Sequence, residues 1–575
     1  MTIAIPAAPP PRKYGIDFTK PVLYGVAAIL VVLIVLPLSW LFLYSFTDAK
    51  GSLTLMNFYR LFTESTFLEP LMTTFIIATS SAVICCLVAA PMGWLVARTD
   101  LPYSGVVRAL VTASFVTPPF LGAIAWEVLA APNSGLLNKI FRAVTGADQD
   151  VHLFNIYSLG GIIFVISCYT FPYVFTLVAN SLDRTPGELE DASSILGGGR
   201  WYTARRVTIP LVLPALLAGA LVAFLQAMTL FGSPAILALP AGFHTMTTKI
   251  WSLFQYPPKP ELAAAASLPL LILTVFLLRA EHMILGRRGY SVVGGKYGAP
   301  RLIPLHGMRW VAFAICLSVL MLPVFLPYAA LLNATFSPVA TTFLTWHNAT
   351  MHNIHFVLFE LSAASLALKN TVILGGATAT IGTIIAVIIA YVTAREAVKG
   401  WRVLGFLATA PIAIPGIVLG VGLFLSYTRP PFVLYGTLWI LLIAFVTIAL
   451  PSAYQQLQAA FRTIHPELED ASRILGATRL RSLWDIIAPL LRTGVIATWC
   501  FIFVGVMREL SAAIILFTSE TKVISVLIYD LNESGDLAAI SVLGLLMLVL
   551  TFGIVALANS LRLGGSGSRR VDPTR

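Results

Sequence analysis

Glu188-Leu-Glu-Asp-Ala-Ser-Ser-Ile-Leu-Gly197 returns almost letter for letter as Glu467-Leu-Glu-Asp-Ala-Ser-Arg-Ile-Leu-Gly476. Asp191 and Asp470 stand 279 positions apart, as do Pro210 and Pro489, so the block aligns without a gap. Charged segments repeated inside a greasy chain do not suit a lipid-facing role. They suit two equivalent docking surfaces presented to the aqueous phase. Working outward, Pro172 and Pro451 keep the same offset, as do Met228 and Met507. Further upstream, Pro119 in Thr-Pro-Pro-Phe-Leu-Gly resembles Pro415 in Ile-Pro-Gly-Ile, with Gly122 near Gly420, at a spacing altered by the unequal loops 132–158 and 428–432. The chain is a duplication.

Composition sets the class. Hydrophobic residues make up 58% of the 575 and charged ones 11%, with a mean hydropathy of +0.87. A water-soluble domain does not tolerate this balance. Charge-free runs reach the roughly 20 residues that a helix needs to cross a bilayer, and the short-period alternation of a β-barrel is absent. Helices satisfy their own backbone in lipid. The sequence therefore predicts an all-α membrane protein with twelve spans, at about 22–46, 71–96, 107–131, 159–181, 211–239, 263–286, 309–333, 364–393, 403–427, 433–457, 490–517 and 538–561. The first is read as a retained span and not a cleaved signal.

Twelve spans place both termini on one side. With that side cytoplasmic, 27 of the 37 Lys and Arg fall in inner segments, as the positive-inside rule requires. The net charge of +11 is then a topology signal, and no basic soluble face for nucleic acid exists. Six spans per half give the halves one orientation, a parallel repeat. The expected division is 1–300 and 301–575, joined by the inner linker Arg287–Arg309. Eight scattered histidines and five cysteines in apolar stretches predict no metal site.

Within the repeat, Thr185-Pro-Gly-Glu188 has the pattern of a capping box with Pro186 at the first helical position. A short amphipathic helix should follow, with Leu189, Ala192, Ile195 and Leu196 on one face, ending at Gly197. The second copy places Pro466 at the start, Leu468, Ala471, Ile474 and Leu475 on the face, and Gly476 at the stop. The bland alternative is a helix lying on lipid headgroups, which the acidic Glu188, Glu190, Asp191 and Glu467, Glu469, Asp470 disfavour.

The pattern acidic-Ala-small-x-x-x-Gly, nine residues, aliphatic-x-aliphatic-Pro resembles the EAA loop of ABC importer permeases. Asp191-Ala192-Ser193 and Asp470-Ala471-Ser472 stand where that family usually has Glu-Ala-Ala, a mild departure; Gly197, Gly476, Pro210 and Pro489 match. The resemblance covers essentially the whole chain and implies the type I importer permease fold in two fused halves. It implies coupling helices in loops 184–210 and 463–489 that seat in a homodimeric cytoplasmic ABC ATPase. It also implies a periplasmic substrate-binding protein as partner and an inner-membrane location. The chain itself is expected to be non-catalytic and to bind no cofactor, with ATP used by the partner. Its one Gly-Gly-Lys, Gly294-Gly295-Lys296, lacks the remaining glycine and hydroxyl of a phosphate loop.

Charges inside spans are functional suspects. Arg508-Glu509 lies toward the outer end of the eleventh span where the first half has Thr229-Leu230. The pair is read either as part of the substrate path at the outer gate or as a structural feature, a buried ion pair or side chains snorkelling to the interface. The fused form looks most like ferric-iron permeases, implying Fe(III) or a ferric chelate as cargo; thiamine, polyamine, phosphonate and sulfate or molybdate permeases are also similar. An ion-gradient carrier is the rival of another class. The loop Ala97–Arg108 lacks its Asp-Arg-x-Gly-Arg signature, and Glu509 is the one good intramembrane carboxylate candidate.

Overall fold

The computed structural model describes residues 19–185, 187–286, 302–396 and 399–565. The terminal segments, most of the linker with its Gly294-Gly295-Lys296, the 300/301 boundary and Pro186 lie outside the described residues. The all-α expectation holds: apart from isolated bridges, no strand occurs among the described residues. Among the described residues ten helices are long and apolar enough to cross a membrane, or twelve with each of two bent helix pairs counted as one span.

The bent pairs fall on the third and ninth expected spans. Ser104–Val116 meets Pro119–Ala130 at 97°, and Trp401–Ala413 meets Gly416–Tyr427 at 109°. The cause is local. A residue before proline is pushed out of helical space, and proline itself cannot donate to the ladder. Thr117 and Pro118 have ψ of 127° and 131°, and Ile414 and Pro415 have ψ of 110° and 141°. The limb after each bend is almost wholly buried, and the one carboxylate in these limbs, Glu127, accepts from Tyr157 Oη at 2.7 Å.

Other prolines are absorbed rather than obeyed. Five-residue π turns at Val31–Val35, Ala204–Thr208, Met321–Phe325 and Leu483–Ile487 each end two positions before Pro37, Pro210, Pro327 and Pro489. In each, the residue just before the proline donates its N–H five positions back, for example Ile209 to the Ala204 carbonyl and Ala488 to that of Leu483. The wider turn moves the carbonyl that the ring would strike, so the helix continues. The terminal proline of the repeated motif thus marks where the loop joins the fifth and eleventh spans.

Each half is built on a three-helix core: Ser65–Arg98, Leu159–Arg184 and Trp201–Thr229 in the first, Ser362–Ala394, Leu438–Arg462 and Leu483–Arg508 in the second. The first spans are exchanged. Tyr24–Ser45 packs on the bent limb Gly416–Tyr427 of the other half, where Tyr427 Oη donates to the Val32 carbonyl at 2.9 Å. His306–Phe336 packs reciprocally on Pro119–Ala130, with Tyr328 Oη 2.6 Å from Thr117 Oγ1. A Cβ on Gly422 would lie 2.9 Å from the Pro37 carbonyl oxygen, so only glycine lets the exchanged span approach this closely.

Candidate functional sites: two coupling loops and a paired break

The repeated segments fold alike. Helices Glu188–Ile195 and Glu467–Ile474 end in a left-handed glycine, Gly197 at φ +83° and Gly476 at φ +90°. The next N–H closes each end, Gly198 donating to the Ser193 carbonyl at 2.8 Å and Ala477 to that of Ser472 at 3.1 Å. A hydroxyl bond ties each helix to the start of the next span: Ser193 Oγ to Thr203 Oγ1 at 2.8 Å, and Ser482 Oγ to Ser472 Oγ at 2.9 Å. The expected capping box does not form. Thr185 Oγ1 donates instead to the Ser181 carbonyl at 2.8 Å, and no side chain caps the helix start at Gly187. Residue 185 is still the C-cap of the preceding span, so its hydroxyl is claimed by that span's last turn.

What the two helices present is equally matched. Ile195 and Leu196 are 84% and 87% exposed, and Ile474 and Leu475 are 85% and 88% exposed. Leu189 and Leu468, Ala192 and Ala471, Glu188 and Glu467 are exposed too, as are Trp201 and Trp484 beside the helices. Asp191 is half-buried and Asp470 exposed; Pro210 and Pro489 are exposed at the foot of the following span. Apolar tips held rigidly away from the bundle are unusual unless something covers them.

Glu190 and Glu469 differ in surroundings. Glu469 is 7% exposed and accepts from Tyr391 Oη at 2.6 Å and from Arg395 Nε at 3.3 Å. Glu190 accepts from Thr208 Oγ1 at 2.8 Å.

At the opposite ends of the fifth and eleventh spans, both helices break at equivalent residues. The Leu230 carbonyl accepts from Thr247 Oγ1 at 3.0 Å, and the Glu509 carbonyl accepts from Ser525 Oγ at 2.8 Å. Two short helices follow, Met246–Ser252 and Ile524–Glu533. Their first N–H groups donate to Thr74 Oγ1 at 2.7 Å and Thr371 Oγ1 at 2.9 Å, respectively. These bonds set the register, and in that register Trp251 corresponds to Tyr529. The two rings meet edge to face at 5.7 Å. A residue that touches its own counterpart lies on the pseudo-twofold axis, so this pair, flanked by Phe231 against Tyr529 at 5.9 Å, closes the centre of the molecule here. Sequence reading missed these helices because each is too short and too buried for a span or an amphipathic pattern.

Arg508 and Glu509 stand at this break but form no ion pair with each other among the described contacts. The Arg508 guanidinium lies over the Phe115 ring at 4.9 Å, beside the bend of the third span, and its Nε is buried without a partner. Glu509 Oε1 accepts the Ala512 N–H at 3.0 Å and faces Gly416, beside the bend of the ninth span. The two charges therefore address the two bends separately. Among the described residues no group of three metal-ligating side chains occurs.

Comparison with known proteins matches the family described as "Binding-protein-dependent transport system inner membrane component" twice, over residues 89–288 and 382–562. The chain is 26% identical over 459 residues to "Ferric transport system permease protein FbpB" of Actinobacillus pleuropneumoniae, covering 76% of this chain and 63% of that protein. It is 26% identical over 427 residues to "Putative ferric transport system permease protein FbpB 1" of Haemophilus influenzae, covering 71% and 64%. The chain thus spans slightly under two thirds of the length of these relatives. Among solved structures, a bacterial ABC transporter involved in the import of alginate aligns at a TM-score of 0.39 and 16% identity, covering 47% of this chain and 96% of that one.

Proposed function

Because the chain belongs to the family of binding-protein-dependent transport system inner membrane components, in two copies, we propose that it supplies both permease halves of an ATP-driven importer. Both halves of the type I permease arrangement are carried on this one polypeptide, which conducts solute while a separate ATPase hydrolyses ATP. The observation that carries this reading is the matched pair of rigid, exposed apolar tips, Ile195-Leu196 and Ile474-Leu475. Two closing ATPase subunits need two equivalent handles, and coupling requires that their motion reach the bundle through a stiff, docked element. The Ser193–Thr203 and Ser472–Ser482 bonds supply that stiffness.

Solute would pass between the halves at the level of the two bends. In this structure the end remote from the coupling loops is shut by Trp251 and Tyr529, with Arg508 and Glu509 alongside. A periplasmic binding protein would deliver the solute there, and the charge asymmetry of the loops supports a cytoplasmic side for the coupling helices and both termini. Relatives named for ferric transport favour Fe(III) or a ferric chelate as cargo. Radiolabelled ferric uptake, measured in a strain lacking the chain and restored by it, tests the cargo. Co-purification with an ABC ATPase tests the class, and an uptake that follows an ion gradient and not ATP would reject it.

A further inference from the structure

Arg98 is the largest side chain with no solvent exposure, yet its Nε and Nη1 have no hydrogen-bond partner. A buried guanidinium left two-thirds unsatisfied is costly and asks for an explanation. Its surroundings supply one. Nη2 donates to the Thr185 carbonyl at 2.8 Å, at the threshold of the first coupling helix. In the second half Arg395 ends the corresponding span and donates to the Ile464 carbonyl at 3.3 Å, at the same threshold. Thr185 and Ile464 are 279 positions apart, the offset of the repeat itself. Arg395 also holds Glu469, five residues beyond Ile464; the residue five beyond Thr185 is Glu190. The repeat therefore gives Glu190 the place that Glu469 holds beside Arg395, but in this structure Glu190 accepts from Thr208. The exchange is built into two further positions: Trp94 stands where the second half has the hydroxyl of Tyr391, and Ile487 stands where the first half has Thr208.

We propose that Arg98 and Glu190 form a switchable latch: Glu190 leaves Thr208 for Arg98 in a second conformation of the first coupling helix, while the Arg395–Glu469 latch stays closed throughout. The two docking sites then differ mechanically, the second fixed to its bundle and the first free to be drawn in. Leu302–Leu305, the entry into the second half, covers the Arg98 loop. Ile303 N–H donates to the Arg98 carbonyl at 2.8 Å and Leu305 N–H to Asp100 Oδ1 at 2.7 Å. The Arg98 side chain itself has no solvent exposure, so water does not satisfy it in the open state. Arg98 acts here as a positioning residue for coupling, which rests on the proposed function; the latch itself does not.

The test separates the two. On the purified chain in nanodiscs, a double-mutant cycle of Arg98→Met and Glu190→Gln is read by equilibrium unfolding, with and without Thr208→Val. The expected result is additivity in the parent and a coupling of about threefold or more in the folded-to-unfolded ratio once Thr208→Val frees Glu190. Additivity in both backgrounds overturns the latch, and coupling already present in the parent overturns the switch. Arg98→Gln, which removes the charge but keeps a polar head group for the Thr185 carbonyl, replaces Arg98→Met if that variant does not fold. In proteoliposomes with the ATPase, Arg98→Met and Glu190→Gln should each lower solute moved per ATP by about tenfold with far less loss of thermal stability than Arg395→Met, and together no further. A loss of transport that tracks a loss of stability would reduce Arg98 to a structural residue.

Discussion

The two ends of the bundle invert each other. At the coupling loops, near-identical sequences are held by different bonds: Glu469 by Tyr391 and Arg395, Glu190 by Thr208. At the breaks beyond the fifth and eleventh spans, different sequences, Thr229-Leu230 and Arg508-Glu509, are held by the same bonds to the following helix. Residues that a shared partner must recognise stay alike on the surface, whatever anchors them from below. Residues that only the chain itself sees may diverge, provided the backbone keeps its bonds. Likeness of sequence and likeness of structure thus report different constraints.

The strongest way to break this comparison is at the tips. Replacing Ile195, Leu196, Ile474 and Leu475 together with Asp removes apolar area worth about 1.5–3 kcal/mol per buried side chain, so ATPase association should fall on the order of a thousandfold or more. Changing one copy should fall between, measured by titrating the ATPase; equal loss from either single copy and from both would mean that the copies are not independent handles. Next is the asymmetry beneath them. Arg395→Met strands the buried Glu469 carboxylate and should cost about 3–5 kcal/mol in unfolding free energy, whereas Arg98→Met, which removes one bond to the Thr185 carbonyl and strands no charge, should cost far less. Similar losses would erase the distinction.

At the breaks the two halves should respond alike. Thr74→Val and Thr371→Val each leave a buried N–H, of Met246 and Ile524, without its acceptor, and each should cost about 1–3 kcal/mol. A difference between them larger than their uncertainty argues that the breaks are not equivalent. Gly197→Val and Gly476→Val force a branched residue into left-handed backbone at about 1–2 kcal/mol each, with the double variant uncoupling ATP hydrolysis from uptake most severely. Glu509→Gln keeps an oxygen for the Ala512 N–H and should cost under about 1 kcal/mol. Because Arg508 and Glu509 are not paired, Arg508→Leu should add to it without rescue; recovery of the double variant in an unfolding measurement would restore the ion-pair reading. Retained stability with reduced uptake in Glu509→Gln would place the carboxylate on the path.

Much of this was legible in the residues. Glu-Leu-Glu-Asp-Ala at a fixed offset announces a duplicated docking helix because helical periodicity and a terminal glycine are local properties. Span positions follow from hydropathy because the cost of polar groups in lipid is paid residue by residue. Pro118-Pro119 and Pro415 were visible as landmarks, yet their effect was not: other prolines, such as Pro172 and Pro451, remain inside continuous helices. Whether proline breaks a helix depends on whether neighbouring helices re-satisfy the freed carbonyls.

The sequence by itself determined the class, the repeat, the helical spans and the exposed tips, all of which depend on short-range pattern and transfer free energy. Only the tertiary structure decided that the first spans are exchanged and that Trp251 meets Tyr529 on the axis. It alone decided that Arg508 and Glu509 turn to different bends and that Arg98 is buried without the carboxylate its counterpart holds. Each of these depends on which side chains, distant along the chain, share a dry space where an unmet charge or hydrogen bond has no water to fall back on.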